Sequence, residues 1–191
     1  MHTPTEPSAV DPITIADVDR LADHYHRDQR DKSGRPYIHH PRAVAEFVAE
    51  AGGSTHQRMA ALLHDVVEDT EATIDGLADQ GVPGPVLTLV EALTKRPGES
   101  YEDYLARVAA VPGAALVKRA DIRHNSLPDR MSRLRATTRA RLLSKYRRAS
   151  RMLDEIDELG TPRTGVPRGS GPLLWTSGPA TSECREVPRS L

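Results

Sequence analysis

The sequence is poor in cysteine and in aromatic residues. Cys184 is the one cysteine among 191 residues, which excludes an intramolecular disulfide framework and any zinc site built on thiolates. Aromatic residues make up 4% of the chain, so a core has to consist of Leu, Val, Ala, Ile and Met. That composition favours helices over a β-sandwich or a β-barrel.

The sequence also lacks long apolar runs and an excess of charge of one sign. No run approaches the roughly 20 apolar residues needed to span a bilayer, and residues 1–7 have neither the basic nor the apolar part of a signal peptide. The formal net charge is −1, from 26 basic and 27 acidic residues, so no overall field points to a nucleic acid or a membrane. We therefore expect a soluble cytoplasmic protein. The sequence indicates no oligomeric state.

Apolar residues recur at helical spacing along most of the chain, and no stretch alternates as a strand does. We predict an all-α fold, a single helical bundle over residues 13–159 with a final long helical region over about 130–159. Residues 1–12 are predicted to be a flexible arm. Residues 160–191 are predicted to be a disordered tail, because eighteen of these 32 residues are Gly, Pro, Ser or Thr.

One stretch, residues 60–70, concentrates groups that bind metals. It reads Ala-Ala-Leu-Leu-His-Asp-Val-Val-Glu-Asp-Thr, so an apolar run leads into His64 and Asp65, with Glu68 and Asp69 one turn later. On a continuous helix these side chains share a face, and three carboxylates there repel one another unless a cation lies among them. The alternative is an exposed helix end with solvated charges, but the preceding apolar run indicates a buried position.

Two further groups supply candidate ligands elsewhere in the chain. His39 and His40 precede a proline that opens a helix, and Asp121 follows an apolar run, with Asn125 four residues later. A site built from His40, the central His-Asp pair and Asp121 would offer nitrogen and oxygen ligands without thiolate. Such a set suits Mn²⁺, Fe²⁺ or Zn²⁺.

The order and spacing of four motifs then carry a family resemblance. They are Lys-Ser-Gly-Arg-Pro-Tyr-Ile-His-His-Pro at 32–41, Ala-Leu-Leu-His-Asp-Val-Val-Glu-Asp-Thr at 61–70, Val-Glu-Ala-Leu-Thr-Lys at 90–95 and Val-Lys-Arg-Ala-Asp at 117–121. Over residues 20–150 the chain resembles the HD-superfamily hydrolases. More narrowly it resembles the ppGpp hydrolase domain of the RelA/SpoT family and the small single-domain alarmone hydrolases.

The resemblance implies a metal-dependent phosphohydrolase that removes the 3′-pyrophosphate of ppGpp, with Mn²⁺ as the usual metal. It implies three sets of site residues: the metal ligands His40, His64, Asp65 and Asp121; the catalytic pair Glu68 and Asp69, which positions and activates the attacking water; and the substrate-binding residues Lys32, Ser33 and Asn125. His39 would then have no role in the site.

One departure from the family pattern leaves the substrate open. Asp31 stands where the alarmone hydrolases have an arginine that packs against guanine, and Arg30 lies one residue earlier. Either Arg30 substitutes for that arginine, or the protein is a phosphomonoesterase or phosphodiesterase acting on another nucleotide. A third alternative is a nucleotide-binding regulatory module without turnover, against which the intact Glu68-Asp69 pair argues.

A basic stretch over residues 130–151 holds nine Arg or Lys and no acidic residue. It is interpreted as a packing helix with a solvated basic face, or alternatively as a phosphate-attracting rim or an RNA contact.

Overall fold

The computed structural model describes residues 12–31 and 34–160, which form helices joined by short loops. Within this part of the chain there is no β-sheet, and Arg30 and Pro36 form an isolated antiparallel bridge. The predicted all-α fold class is therefore confirmed. The helices are α1 Ile15–His26, α2 His39–Glu50, α3 Thr55–Leu63, α4 Val66–Asp69, α5 Ile74–Asp79, α6 Gly84–Leu93, α7 Tyr101–Ala110, α8 Ala114–Asn125, α9 Pro128–Ser132 and α10 Ala136–Gly160.

Side-chain caps fix where several of these helices begin. The hydroxyl of Ser54 accepts from the Gln57 backbone N–H, and the Gln57 side chain accepts from the Ser54 N–H, so α3 starts with a complete capping box. Thr73 and Ser100 cap α5 and α7. The Gln57 amide also donates to the carbonyl of Gly113, 3.1 Å away, at the start of α8. The beginnings of α3 and α8 are thereby held together.

Helix α3 lies at the centre of the bundle, where it packs against α1, α2, α6 and α8. Its last five residues, 59–63, are all buried. Such a helix has no solvated face at this end, so the residue that follows it emerges in the interior. That residue is His64, whose side chain is 3% exposed.

The chain does not continue as one helix through the His-Asp pair, and in this respect the sequence prediction is wrong. Helix α3 ends at Leu63, residues 64 and 65 form a turn, and α4 begins at Val66. The Nδ1 atom of His64 lies 2.7 Å from the Ala61 carbonyl oxygen, which in an uninterrupted helix accepts from the backbone N–H four residues later. The side chain of His64 therefore uses a backbone acceptor of the helix and helps to end it.

Residues 37 and 38 form a turn before the helix that the sequence predicts to open at Pro41. The Tyr37 N–H donates to the Gln29 carbonyl at 3.0 Å, and the His40 N–H donates to the Tyr37 carbonyl at 2.8 Å. These bonds fold the chain back on itself after the loop at 30–36. As a result α2 begins at His39, two residues earlier than predicted.

The final helical region is two helices, not one. The Asp129 carbonyl accepts from the side chains of Ser132 and Arg133, and the chain leaves the α-helical path before it resumes at Ala136. Helix α10 packs against α7 and α8, and it contributes Ala149 and Leu153 to the core, both without exposed surface.

The predicted arm at 1–12 and the predicted tail at 160–191 lie almost wholly outside the described residues, so those boundaries stay predictions. In the described part of the chain no helix has the length and apolarity required to cross a membrane.

We expect Leu153→Ala to lower the free energy of unfolding by about 2–5 kcal/mol, because it leaves a cavity where α10 joins the core. Leu142→Ala is the matched control, since Leu142 is on the same helix but outside the hydrophobic core. Urea unfolding followed by circular dichroism measures both. Equal losses in the two variants would contradict this docking of α10.

Candidate metal centre and active site

Three separate parts of the fold bring two imidazoles and two carboxylates together. His40 comes from the first turn of α2, His64 and Asp65 from the turn after α3, and Asp121 from the middle of α8. The His40 Nε2 atom lies 3.4 Å from Asp65 Oδ2 and 3.3 Å from Asp121 Oδ1. The His64 Nε2 atom lies 3.1 Å and 3.8 Å from the same two oxygens. The four side chains predicted as metal ligands therefore converge on one point.

The backbone fixes which nitrogen of His64 faces this point. Its Nδ1 lies 2.7 Å from the Ala61 carbonyl oxygen, and because that oxygen only accepts, Nδ1 carries the proton. The Nε2 atom is buried and forms no hydrogen bond within the described residues, although Asp65 lies close by. An imidazole whose Nδ1 is fixed by a backbone carbonyl and whose Nε2 is buried beside carboxylates has the arrangement of a metal ligand.

A third histidine orients His40. The Nδ1 atoms of His40 and His124 are 2.6 Å apart, and only one of the two nitrogens in such a pair can carry the proton. Burial, His40 and Arg130 lower the pKa of His124 to about 4, so His124 is neutral and able to accept. With the proton on His40 Nδ1, the Nε2 atom of His40 presents a lone pair to the two carboxylates.

Asp65 is held by the hydroxyl of Tyr37, which donates to its Oδ2 at 2.5 Å. Burial and the charge of Asp65 raise the pKa of Tyr37 strongly, which keeps this phenol a donor. Although burial alone raises the pKa of Asp65, His64 and His40 hold it well below its usual range. Asp65 is therefore an ionised carboxylate with one oxygen fixed by Tyr37.

Asp121 is held by two residues of its own helix. The amine of Lys118 donates to Asp121 Oδ2 at 2.8 Å, and the Asn125 amide donates to Oδ1 at 2.5 Å. Burial raises the pKa of Asp121, but Lys118 and His40 outweigh that effect and leave it lowered. Asn125 shares the Asp121 face, as its i, i+4 spacing predicts, and its observed contact is with this carboxylate.

The charge balance of the cluster favours a cation. Burial alone lowers the pKa of His64, yet the carboxylates of Asp65 and Asp121 raise it to about 9. The site thus stabilises positive charge at the position of His64 Nε2. His40, His64 and Asp65 offer ligand atoms within 4.8 Å of one another, and Asp121 contacts both imidazoles. These residues fit a divalent ion, and they form a possible His/Asp metal site.

Glu68 and Asp69 lie on α4 beside this cluster, and both are exposed. Glu68 Oε2 accepts from the Lys95 backbone N–H at 3.1 Å, which joins α4 to the end of α6. Asp69 is exposed as a whole residue, but its carboxyl group is partly shielded from water. This desolvation, and next the charges of Asp65 and Glu68, raise the pKa of Asp69. The acidic pair therefore lies where solvent meets the buried ligand cluster.

Comparison with protein families assigns this arrangement. Residues 19–112 match the family model described as an HD domain. The chain therefore contains an HD domain. The matched residues include His64 and Asp65 and end before Asp121, which the fold brings to the same cluster.

The relatives of this HD domain include ppGpp enzymes. The chain is 39% identical over 117 residues to mouse guanosine-3′,5′-bis(diphosphate) 3′-pyrophosphohydrolase MESH1, an alignment that covers 55% of this chain and 63% of that protein. It is 36% identical over 129 residues to a Streptomyces coelicolor GTP pyrophosphokinase, covering 61% of this chain and 15% of that protein. The chain thus spans less than two thirds of the length of these relatives.

A solved structure shares the fold of this HD domain. It belongs to a metazoan ortholog of SpoT, described as hydrolysing ppGpp and as acting in starvation responses. The TM-score is 0.53 with 26% sequence identity, and the alignment covers 82% of this chain and 99% of that chain.

The loop before α2 carries the remaining predicted residues. Lys32 and Ser33 lie outside the described residues, so their substrate-binding role stays a prediction. Asp31 closes the loop, because its Oδ1 accepts from the Arg35 N–H at 3.1 Å and its Oδ2 lies 3.5 Å from Arg130 Nη1. The Arg30 guanidinium donates to the Gly34 carbonyl of the same loop.

Three residues of this site were not singled out from the sequence: Tyr37, Lys118 and His124. Lys118 and His124 stand three residues before and after Asp121, so the helical period could have placed both on its face. Tyr37 gave no such signal, because its position depends on the turn that precedes α2. His39, by contrast, is exposed, whereas His40 is buried.

We expect His124→Leu to weaken Mn²⁺ binding by about 10- to 100-fold, because the acceptor that fixes the His40 tautomer is lost. His124→Asn is the matched control, since its side-chain oxygen can accept at the position of Nδ1. Isothermal titration with Mn²⁺ measures both variants. If the Leu and Asn variants bind Mn²⁺ equally, His124 does not orient the ligand.

Proposed function

We propose that this HD domain is a divalent-metal-dependent phosphohydrolase that releases the 3′-pyrophosphate of ppGpp. The observation that carries the proposal is the convergence of His40, His64, Asp65 and Asp121 beside an acidic pair at the solvent boundary. The names of the mouse and Streptomyces relatives and of the metazoan structure support the substrate.

In this proposal the metal ligands are His40, His64, Asp65 and Asp121, and the ion is Mn²⁺, with Fe²⁺ or Zn²⁺ as alternatives. A bound divalent ion would supply a water of lowered pKa and would screen phosphoryl charge. The chain itself supplies two imidazoles whose Nε2 atoms lie against the two carboxylates, and those carboxylates are kept ionised by their neighbours.

Glu68 is the proposed general base. Its Oε2 is bound by the Lys95 N–H, which leaves Oε1 to take a proton from the attacking water. Asp69 follows it on α4, and its raised pKa suits a group that shares a proton with its neighbour. The position of the pair at the surface of the cluster gives solvent water a route to the reacting phosphorus.

The nucleotide would lie against Lys32, Ser33 and Asn125. Lys32 adds positive charge for a diphosphate, and Ser33 adds a hydroxyl. Because the Asn125 amide nitrogen is bound to Asp121, its carbonyl oxygen is the group left to accept from a nucleotide. The proposed partner of the protein is therefore a small nucleotide.

We expect Mn²⁺-dependent pyrophosphate release from ppGpp by the purified protein. Asp65→Ala removes a ligand and should abolish both Mn²⁺ binding and release. Glu68→Gln should keep Mn²⁺ binding, since a glutamine still accepts from the Lys95 N–H, and should lower kcat by about 10²–10⁴-fold. A pyrophosphate assay and calorimetry with Mn²⁺ separate the two effects.

Glu71→Gln is the matched control, because Glu71 is exposed three residues beyond Glu68. It should leave kcat unchanged. Wild-type turnover in Asp65→Ala or in Glu68→Gln would refute the assignment of that residue.

A second candidate function, hydrolysis of another phosphorylated nucleotide, is favoured by Asp31. This acidic side chain lies on the loop that the substrate would contact, and it forms an ion pair with Arg130. An acidic residue here accepts hydrogen bonds from a base edge, whereas the arginine of the alarmone hydrolases packs on guanine.

Asp31→Asn distinguishes the two substrates, because asparagine still accepts from the Arg35 N–H but loses the negative charge. If ppGpp is the substrate, its kcat/KM should stay within about twofold of wild type, since no ion pair to the substrate is lost. If another nucleotide is preferred through Asp31, its kcat/KM should fall while that of ppGpp does not. A panel of nucleotides assayed with Mn²⁺ gives the comparison.

A further inference from the structure

A second cleft lies between α8 and α10, apart from the ligand cluster. Its volume is about 740 Å³, which is in the range of pockets that hold a nucleotide-sized ligand. Its lining includes the apolar residues Ile122 and Leu143, the ring of Tyr146, and the serines Ser126, Ser144 and Ser150. An apolar and aromatic lining with several hydroxyls suits a base and a sugar.

Two arginines on α10, Arg147 and Arg151, add positive charge to the cleft. They are four residues apart and so share a helix face. Neither guanidinium has a hydrogen bond or an ion pair among residues 12–31 and 34–160. By contrast, Arg148 on the same helix is paired with Glu102 at 2.8 Å. The cleft therefore holds two guanidinium groups whose charge is not compensated within the described fold.

The cleft and the ligand cluster use different faces of α8. Asp121 and Asn125 face the metal centre, whereas Ile122 and Ser126, each one residue later, line the cleft. One residue along a helix is a rotation of about 100°. A molecule in the cleft would thus contact the helix that carries Asp121 without entering the metal centre.

We propose that this cleft binds a nucleoside diphosphate, with the base against Tyr146 and its apolar neighbours and the phosphates on Arg147 and Arg151. Guanidinium groups bind phosphate oxygens through paired, charge-assisted hydrogen bonds. The aromatic ring offers a base a stacking surface. The serine hydroxyls supply hydrogen bonds to the ribose or to the phosphates.

The charge along α10 favours a small ligand over RNA. A polyanion needs a continuous basic track, but the basic stretch is followed directly by acidic residues on the same helix. Two of these, Asp154 and Asp157, pair with Arg119 of α8. The basic surface beside the cleft therefore ends within about two helical turns of Arg151. A basic surface of this length fits one diphosphate group better than an RNA strand.

The test is calorimetric binding of GDP and ADP to the full chain in EDTA, so that no metal ion takes part. The double variant Arg147→Gln/Arg151→Gln should weaken binding by about tenfold or more, because charge-assisted hydrogen bonds are lost. Arg139→Gln/Arg141→Gln removes the same charge from the same helix outside the cleft and should stay within about twofold of wild type. Ser144→Trp should block the cleft by its volume while leaving the core unchanged, since Ser144 is exposed.

Absence of nucleotide binding to the wild type, or an equal loss in both arginine pairs, would overturn the proposal. Tighter binding of a single-stranded 20-mer RNA that is lost equally in both pairs would overturn it in favour of a polyanion surface. The proposal is independent of ppGpp hydrolysis, because binding is measured without metal or turnover.

Discussion

The structure depends on the burial of two ionised carboxylates beside two imidazoles. In a low-dielectric interior such charges are costly unless a cation or well-placed hydrogen bonds compensate them. Here the compensation comes from every element around the cluster: Tyr37 from the loop, Lys118 and Asn125 from α8, and a positive charge at His64. The packing of α2, α3 and α8 has to be accurate because these contacts tolerate little displacement.

The four side chains that converge could be selected from the sequence, whereas several of the residues that contact them could not. His64 and Asp65 follow an apolar run, and Asp121 repeats that pattern. The sequence therefore indicates both that these side chains are buried and that they offer nitrogen and oxygen atoms. The end of α3 at Leu63 could not be predicted from the sequence, because no glycine or proline marks it. There the side chain of His64 forms a hydrogen bond with the Ala61 carbonyl. Local spacing describes neighbours on one helix but not a side chain that competes with the backbone.

Contacts between distant parts of the chain were the other limit. The sequence places Asp31 where the alarmone hydrolases have an arginine, but it does not indicate that Asp31 pairs with Arg130. Arg130 is 99 residues away, in the basic stretch over residues 130–151. The same holds for His124, whose role depends on His40 from another helix. The helical class, the caps at Thr73 and Ser100 and most helix positions were predictable, because these depend on residues within one or two turns.

The acidic pair and the ligands are anchored very differently. Helix α4 has four residues. Val66 is buried in the core, but the rest of the helix is held by Gln29 donating to the Asp69 carbonyl and by Glu68 accepting from the Lys95 N–H. The four residues of the cluster, in contrast, come from the 12-residue helices α2 and α8 and from the turn after α3, and three of them are buried. Local opening takes the least-buried segments first, so we expect the exposed end of α4 at Glu68 and Asp69 to open on warming before the cluster does. If these two residues activate the water, the rate of hydrolysis would reach its maximum below the unfolding temperature, while the cluster is still intact.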